Sequence, residues 1–159
     1  MANRTNHYLA AGAVQNAVIV AWAATLNATT FKLVPENASV DQLPGSGQNY
    51  ARLNLRPAGA YNRGLGRNGD DLRGTGLVIV QVFIRAGGGT FAAHQAADAL
   101  DKLSNTGIAS GDAGSSMRVT FRVVEPPRYS GDSDGWHQFN ITIPYFWDSM
   151  DAKTFTPTP

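Results

Sequence analysis

The segment Leu77–Arg85 (LVIVQVFIR) constrains the fold of this chain more than any other segment. Apart from Gln81, the side chains before its final arginine are apolar at both sets of alternating positions. A strand with one face in water alternates apolar and polar residues, whereas a strand that is apolar on both faces is typical of the middle of a sheet. We therefore predict a central β-strand here.

Three other segments show the alternation of half-buried strands: Tyr50–Arg56 (YARLNLR), Ser116–Val124 and Trp136–Trp147 (WHQFNITIPYFW). In each of them every second side chain is apolar, so one face of the strand should pack on a core. Pro144 lies within the last segment and has no backbone N–H to donate to a neighbouring strand. We therefore expect the end of that strand to lie at an edge of the sheet.

Two segments have the spacing of helices. Phe91–Leu103 carries a narrow apolar stripe opposite polar and charged residues, which predicts an amphipathic helix. The segment from Asn6 to about Asn27 carries two neighbouring apolar stripes, which is more than one sheet face covers. Two interpretations of this first helix stay open. It is either a deeply buried core helix or a helix partly covered by a neighbouring subunit, which would contact Val14, Val18 and Trp22.

The order of these elements predicts an α+β fold, α-β-β-α-β-β, with two helices on one face of a four-stranded, mainly antiparallel sheet in a two-layer sandwich. The 159 residues are enough for one domain with a real core, which we assign to residues 1–150. Residues 151–159 are rich in Thr and Pro and should form a flexible tail. We assign no helix or strand to the connectors, which are Phe31–Asn49, Pro57–Gly76, Asn105–Ser115 and Tyr129–Gly135.

The composition excludes several classes of site and protein. The chain has no cysteine and therefore no disulfide, thiol nucleophile or cysteine-ligated zinc. Its formal net charge of +1 lacks the strong basic excess of a dedicated nucleic-acid binder. The longest apolar run, Ala17–Ala24, is far shorter than the ~20 residues of a membrane span, and it lacks the flanks of a signal peptide. We expect a soluble, unexported protein.

Four short motifs suggest chemistry but lack its context. Gly64–Gly69 fits G-x-G-x-x-G, yet no helix follows it, so we interpret it as a flexible hairpin loop. Gly87–Thr90 joins a strand to a helix but lacks the lysine of a phosphate loop. His94 and Asp98 are one helical turn apart, but no third metal ligand has suitable spacing. Asp132–Gly135 lacks the further acidic residues of a calcium loop. We therefore predict no catalytic, metal or cofactor site.

Arginines are the remaining candidates for recognition. Five of them cluster in the strand Tyr50–Arg56 and the loop after it, offset by two aspartates, and two more lie on the outward side of the Ser116–Val124 strand. The patch is either an ordinary solvated surface or a positive surface for acidic protein or passing DNA, because guanidinium pairs well with carboxylate and phosphate. The candidate residues are Arg52, Arg56, Arg63, Arg67, Asp70, Asp71, Arg73, Arg118 and Arg122.

Four segments follow one another along the chain: Phe31–Asn37 (FKLVPEN), Tyr50–Pro57 (YARLNLRP), Arg73–Gly89 (RGTGLVIVQVFIRAGGG) before an Ala-rich helix, and Trp136–Phe146 (WHQFNITIPYF). In this order they resemble the tail terminator proteins of long-tailed bacteriophages, also known as tail completion or minor tail proteins. The similarity runs from residue 31 to residue 147 and consists of apolar patterns and glycines.

The resemblance implies a virion structural protein without catalytic residues or a cofactor, assembled in the host cytoplasm and located in the tail at the head–tail junction. Proteins of that family close into a six-fold ring that caps the tail tube, stops polymerisation of the tube protein and docks to the head-completion (neck) complex. The expected partners are further copies in a homohexamer, the tube protein, the neck protein and genomic DNA that passes without sequence-specific contacts, but no membrane. The loop Pro57–Gly76 would correspond to the family's extended hairpin loop.

Three alternatives stay open. A neck or stopper protein of the same particle would contact the portal side instead of the tube. A small-ligand enzyme would use His94 and Asp98. A nucleic-acid-binding module would show DNA affinity that falls steeply with salt.

Overall fold

The computed structural model describes residues 2–26, 31–36, 47–62, 71–110 and 115–151. Within these ranges the chain forms two helices and seven strands, and each of the six predicted elements overlaps one of them. In chain order they are α1 (Ala2–Ala23), β1 (Phe31–Val34), β2 (Asn49–Asn62), β3 (Asp71–Arg85), α2 (Phe91–Asp101), β4 (Gly107–Ser110), β5 (Ser115–Phe121), β6 (Arg128–Ser133) and β7 (Trp136–Asp151).

These strands form one curled, mixed sheet, a half-barrel, in the order β1-β2-β3-β7-β5-β4, with β6 paired to β7. β1 pairs with β2 in parallel, and the other pairs are antiparallel. β3 and β7 pair from Asp71↔Met150 to Arg85↔Trp136. On its other side β7 pairs with β5 along its C-terminal half and with β6 along its N-terminal half. β3 is therefore a central strand, as its two-sided apolar pattern predicts.

The prediction of a four-stranded sheet in a two-layer sandwich is wrong. Three further strands, β1, β4 and β6, lie in segments whose sequence pattern predicts no strand. β1 and β4 have four residues each, and β6 (RYSGDS) is almost wholly exposed. Such strands give no clear period-two apolar signal, because they are held mainly by backbone pairing with a neighbour. The predicted loop Pro57–Gly76 is shorter than expected, since β2 continues to Asn62 and β3 begins at Asp71.

The core lies on the face of the sheet that the two helices cover, which we term the covered face. Alternate side chains of β3 and β7 point to this face and are buried there, among them Val78, Val80, Val82, Ile84, Phe139, Ile141 and Ile143. The helices meet them mainly through small and branched residues, which are Ala10, Val14 and Val18 of α1 and Ala93, Ala96 and Leu100 of α2. Removal of this apolar surface from water is the main stabilising term of the fold, at about 25 cal/mol per Å².

Two glycines of β3 make room for large aromatic side chains on the covered face. Gly76 pairs with Tyr145 and Gly74 pairs with Trp147 across the β3–β7 ladder. A Cβ atom built at either glycine would overlap the ring of its partner. Each ring therefore lies over the glycine opposite. Burial of the Tyr145 phenol raises its pKa above the ordinary value.

Pro144 lies inside β7, which corrects the prediction that it marks a sheet edge. It pairs with Leu77 across β3, and its carbonyl accepts a hydrogen bond from the Arg122 N–H at 2.8 Å. The N–H and C=O of a residue in an antiparallel strand point to the same side, so the missing donor faces the connection between β5 and β6. β7 tolerates the proline because regular pairing is interrupted there.

The ends of the chain fall partly outside the described residues. β7 ends at Asp151, so the predicted tail 151–159 begins with a strand residue, and its other residues lie outside the described ranges. None of the described helices has the length and apolar character needed to cross a membrane.

Candidate functional site

The candidate site is the other face of the sheet, on which neither helix packs and which we term the open face. It carries the side chains that alternate with the core residues, including Thr75, Leu77, Ile79, Gln81 and Phe83 of β3 and Gln138, Asn140, Thr142, Phe146 and Asp148 of β7. Its centre is rich in amides, and the Asn54 side chain donates a hydrogen bond to Gln81 Oε1 at 3.1 Å. Its two ends combine arginines with aromatic rings.

The first end of the open face is an aromatic cluster with two arginine side chains lying over its rings. The Tyr50 and Phe83 rings stack with their centroids 4.7 Å apart, and the Trp136 ring meets Tyr50 edge-on at 5.2 Å. The Arg52 guanidinium lies 5.5 Å from the Phe83 centroid, and that of Arg85 lies 5.4 Å from the Trp136 centroid. Such contacts hold a guanidinium by its planar face and leave its N–H edge available to an anion.

The second end is centred on the Phe146 ring. The guanidinium carbons of Arg73 and Arg122 lie 4.3 Å and 5.1 Å from its centroid. Arg73 also donates two hydrogen bonds to Asp148, from Nε to Oδ1 at 2.6 Å and from Nη2 to Oδ2 at 2.7 Å. This bidentate pair raises the pKa of Arg73 and neutralises its charge. Arg122 has no such partner among the described residues.

A hollow of about 340 Å³ lies beside Phe146 on the open face. Its apolar lining includes Leu77 and Pro144, and Tyr61 and Arg122 lie at its border. Leu77 is 40% exposed and Tyr61 is 54% exposed, so the hollow leaves apolar surface in water. A concave apolar site beside an uncompensated cation is suited to binding a group that is itself part apolar and part anionic.

The structure brings five of the predicted arginines to the open face, which are Arg52, Arg56, Arg73, Arg118 and Arg122. Arg85 is a sixth that the sequence analysis missed, although strand alternation places it on the same side as Gln81 and Phe83. Apart from Arg73, none of them has a carboxylate within 4.0 Å in the described part of the chain. Three further predicted residues, Arg63, Arg67 and Asp70, lie outside the described ranges, and only the backbone of Asp71 is described, at the start of β3.

One of the two interpretations of α1 places Val14, Val18 and Trp22 against a neighbouring subunit, but in this structure they lie in the core of the chain itself. Val14 and Val18 have no exposed surface, and Trp22 is 2% exposed. The Trp22 indole N–H donates to the Phe31 carbonyl at 3.0 Å, and the two rings meet edge-on at 5.0 Å. Phe31 of β1 covers Trp22, and α1 also packs against α2, β2, β4 and β5, so the structure supports the other interpretation, a buried core helix. The exposed apolar residues of α1 are instead Tyr8, Ile19 and Val20.

The short motifs of the sequence fall in several different places. Gly64–Gly69 lies outside the described residues. Thr90 precedes α2 as its N-cap residue, but its side chain makes no capping hydrogen bond. His94 and Asp98 are exposed on α2. Among the described residues no three His, Asp or Glu side chains are grouped to bind a metal ion. Of the Asp132–Gly135 segment, Asp132 and Ser133 end β6, and Asp134 and Gly135 form the turn to β7.

One polar cluster escaped the sequence analysis because the residues come from both strands of the β6–β7 hairpin. The Asp132 carboxylate contacts a ring nitrogen of His137. Its hydrogen bonds, first to His137 and then to Tyr129, hold the pKa of Asp132 below its ordinary value, and the Asp132 contact raises the pKa of Tyr129. The cluster borders a hollow of about 310 Å³ lined by Gly89, Thr90, Tyr129, His137 and Phe139.

Comparison with known proteins identifies the family. A family model described as phage tail terminator protein matches residues 11–145. A search of curated proteins found no match. One solved structure, of a protein without a functional name, is 21% identical and has a TM-score of 0.47, covering 91% of this chain and 98% of its own. Because the family match spans most of the sequence, this chain belongs to the phage tail terminator family and is a structural protein of the phage tail.

Proposed function

We propose that this tail terminator forms a homohexameric ring that caps the tail tube, stops addition of tube subunits and joins the tail to the head-completion complex. The observation that carries the proposal beyond family membership is the open face of the sheet. It leaves Leu77, Arg56 and Arg122 exposed, whereas the opposite face is packed within the chain. A sheet face of this kind is suited to contact with other proteins.

The distribution of charge supports a ring of head-to-tail contacts. Arginines lie on the open face, whereas exposed carboxylates lie on α2 and on the β6–β7 hairpin, at Asp98, Asp101, Asp132 and Asp134. A ring of identical subunits with head-to-tail contacts needs two different, complementary surfaces on each subunit. Opposite charges on the two surfaces favour that arrangement over a pairing of like surfaces.

The outer edge of β2 supports a role in stopping growth. Beyond β1, the Leu55 N–H donates to Glu36 Oε2 at 3.1 Å, so a carboxylate occupies a donor that another strand would need. Pro57 has no N–H, and the β2–β3 register shifts between Pro57 and Ala60. A capped donor, a proline and a bulge are devices that prevent a sheet edge from pairing with another strand. In a terminator, an edge closed in this way offers no template for a further subunit.

Genomic DNA passes through the proposed ring. Arginines of the open face that are not used between subunits would contact its phosphates, because guanidinium pairs with phosphate in any sequence. In this proposal the protein lies at the head–tail junction and acts through its surfaces alone.

The test is electron microscopy of particles made without this protein. We expect overlong tail tubes without heads, and wild-type protein supplied in trans should restore joined tails of uniform length. Tails of normal length already joined to heads would contradict the proposal. Tails of normal length that stay unjoined would instead assign the protein to the neck or stopper position.

A further inference from the structure

Arg122 lines the hollow beside Phe146, and Arg56 lies opposite Leu77 on the neighbouring strand. Neither arginine has a carboxylate within 4.0 Å in the described part of the chain. Arg56, Leu77, Pro144 and Arg122 form one row across the open face, through the pairs Arg56↔Leu77 and Leu77↔Pro144 and the hydrogen bond from Arg122 to Pro144. Adjacent strands lie about 4.8 Å apart, so the two arginine backbones are about 14 Å apart with the apolar pair between them. The row therefore suits a bound group with an apolar centre and a negative charge to one side.

Such a group lies on α2 of the same protein. Phe91, at the start of α2, is 71% exposed, although a phenyl ring in water contributes nothing to the core. Asp98 lies seven residues later on the same side of the helix and is also exposed. No cation pairs with Asp98 among the described residues. The outward side of α2 thus combines an exposed ring with an uncompensated carboxylate.

The distance between Phe91 and Asp98 on α2 matches the distance between the hollow and the arginines on the open face. Seven helical residues place Asp98 about 10.5 Å from Phe91 along the axis of α2. A ring seated between Leu77 and Pro144 is about 7 Å from the backbone of Arg56 or Arg122, and an arginine side chain spans the remaining distance. With the ring in the hollow, Asp98 therefore comes within reach of one of the two guanidinium groups.

We propose that α2 of a second copy of this chain docks on the open face, with Phe91 in the hollow and Asp98 paired to Arg122 or Arg56. The proposal rests on the ring put forward above and names the surfaces that form it. Because α2 covers one face of the sheet and the hollow lies on the other, no subunit satisfies its own hollow. Each docked copy leaves one α2 surface and one hollow free, so the contact propagates until the ring closes.

The first test is disulfide cross-linking, for which the full chain is suited because it has no cysteine. In the variant Leu77→Cys/Phe91→Cys the two thiols of one subunit are separated by the sheet, so a disulfide forms only between subunits. We expect oxidation to give covalent dimers and higher species, both from purified protein and from isolated tails. The matched variant Arg52→Cys/Phe91→Cys, whose first thiol lies at the other end of the open face, should stay monomeric.

The second test is charge reversal. Arg122→Glu and Asp98→Arg should each weaken self-association about tenfold or more in sedimentation experiments, and the double variant should recover most of the loss. Arg52→Glu, an open-face arginine outside the hollow, should have little effect. All three positions are exposed, and unchanged thermal unfolding of the variants verifies that they fold.

Several results would overturn this inference. Absence of intersubunit cross-links in both purified protein and tails would do so, as would a double variant as weak as the single ones. If Arg122→Glu lowers affinity for a duplex DNA oligonucleotide while self-association is unchanged, the hollow belongs to DNA. If that variant forms rings that no longer bind the tube, the hollow belongs to the tube protein. None of these results contradicts the proposed function, which tail length in particles without the protein tests separately.

Discussion

The two faces of the sheet are built from alternate residues of the same strands, yet they differ in burial and charge. On the covered face Val80, Ile141 and Ile143 have no exposed surface, and the buried polar residue in the described part of the chain is Ser149. On the open face Leu77 is 40% exposed and arginines lie at both ends. Because strand side chains alternate strictly, one stretch of sequence carries both a core and a recognition surface.

The comparison teaches where stability and assembly are encoded. Residues on the covered face are packed against α1 and α2, so their substitution should act on folding. The exposed residues of the open face, such as Leu77, Arg56 and Arg122, are not packed against a helix, so their substitution should act on assembly and leave folding largely intact. The following predictions test this separation.

The largest expected difference is between the same substitution on the two faces. Ile143→Ala removes a fully buried side chain and should lower the free energy of unfolding by about 3–4 kcal/mol. Ile79→Ala, on the neighbouring strand but on the open face, should lower it by about 1 kcal/mol, because its side chain is only partly buried. Urea unfolding of both variants measures the difference. Equal losses would show that the open face is also covered within the monomer.

A smaller effect is expected from glycines with and without an aromatic neighbour. Gly76→Ala places a methyl group against the Tyr145 ring and should cost about 2 kcal/mol. Gly59→Ala meets open space and should be neutral or slightly stabilising, since alanine restricts the unfolded chain. Thermal unfolding of the two variants is the measurement. A neutral Gly76→Ala would refute the claim that the ring needs this space.

One charged contact on the open face should contribute to stability. Asp148→Asn weakens the bidentate pair with Arg73 and should cost about 1 kcal/mol, less at high salt because part of the pair is exposed. Arg118→Gln, on the same face and without a carboxylate partner among the described residues, should change stability very little. Chemical denaturation at low and high salt separates the two. A larger loss of stability for Arg118→Gln than for Asp148→Asn would contradict the assignment of the stabilising contact to the Arg73–Asp148 pair.

The smallest effect is expected in the β6–β7 hairpin, at the border of the covered face near α2. The contact with His137 lowers the pKa of Asp132, so it stabilises the fold above the ordinary aspartate pKa of about 3.9. That contribution is lost as the pH falls through the lowered pKa. NMR titration of the Asp132 carboxyl group should show a midpoint below the ordinary value, and His137→Gln should raise it. A midpoint that is unchanged in His137→Gln would show that another group lowers the pKa of Asp132.

The sequence predicts the long elements because each carries a period that its packing requires. The two-sided apolar pattern of Leu77–Arg85 predicts a central strand, and β3 pairs on both sides. The short strands β1 and β4 have no room for a period, and the polar strand β6 has no apolar face. Each of them is held by backbone pairing with the next strand along the chain, and backbone pairing leaves no side-chain pattern in the sequence. Local pattern therefore underestimates the size of this sheet.

The candidate site could be predicted in part. Alternation places Arg52 and Arg56 on the side of β2 opposite its apolar residues, and the structure agrees. The sequence does not indicate that neither helix covers this side, because cover depends on where both helices pack. For the same reason it left open whether Val14 and Val18 contact a neighbouring subunit or pack in the chain's own core, where the structure places them. Prediction of the arginine–aromatic clusters would also have required the register between strands, because each cluster joins residues of different strands.

The central claim is that the open face becomes covered when the protein takes its place in the phage tail. Chemical modification of arginine, followed by mass spectrometry, compares the reactivity of Arg56 and Arg122 in dilute free protein and in isolated tails. We expect both side chains to react several-fold more slowly in tails than in the free protein. Equal reactivity in the two states would show that the open face stays in solvent, which would contradict the account.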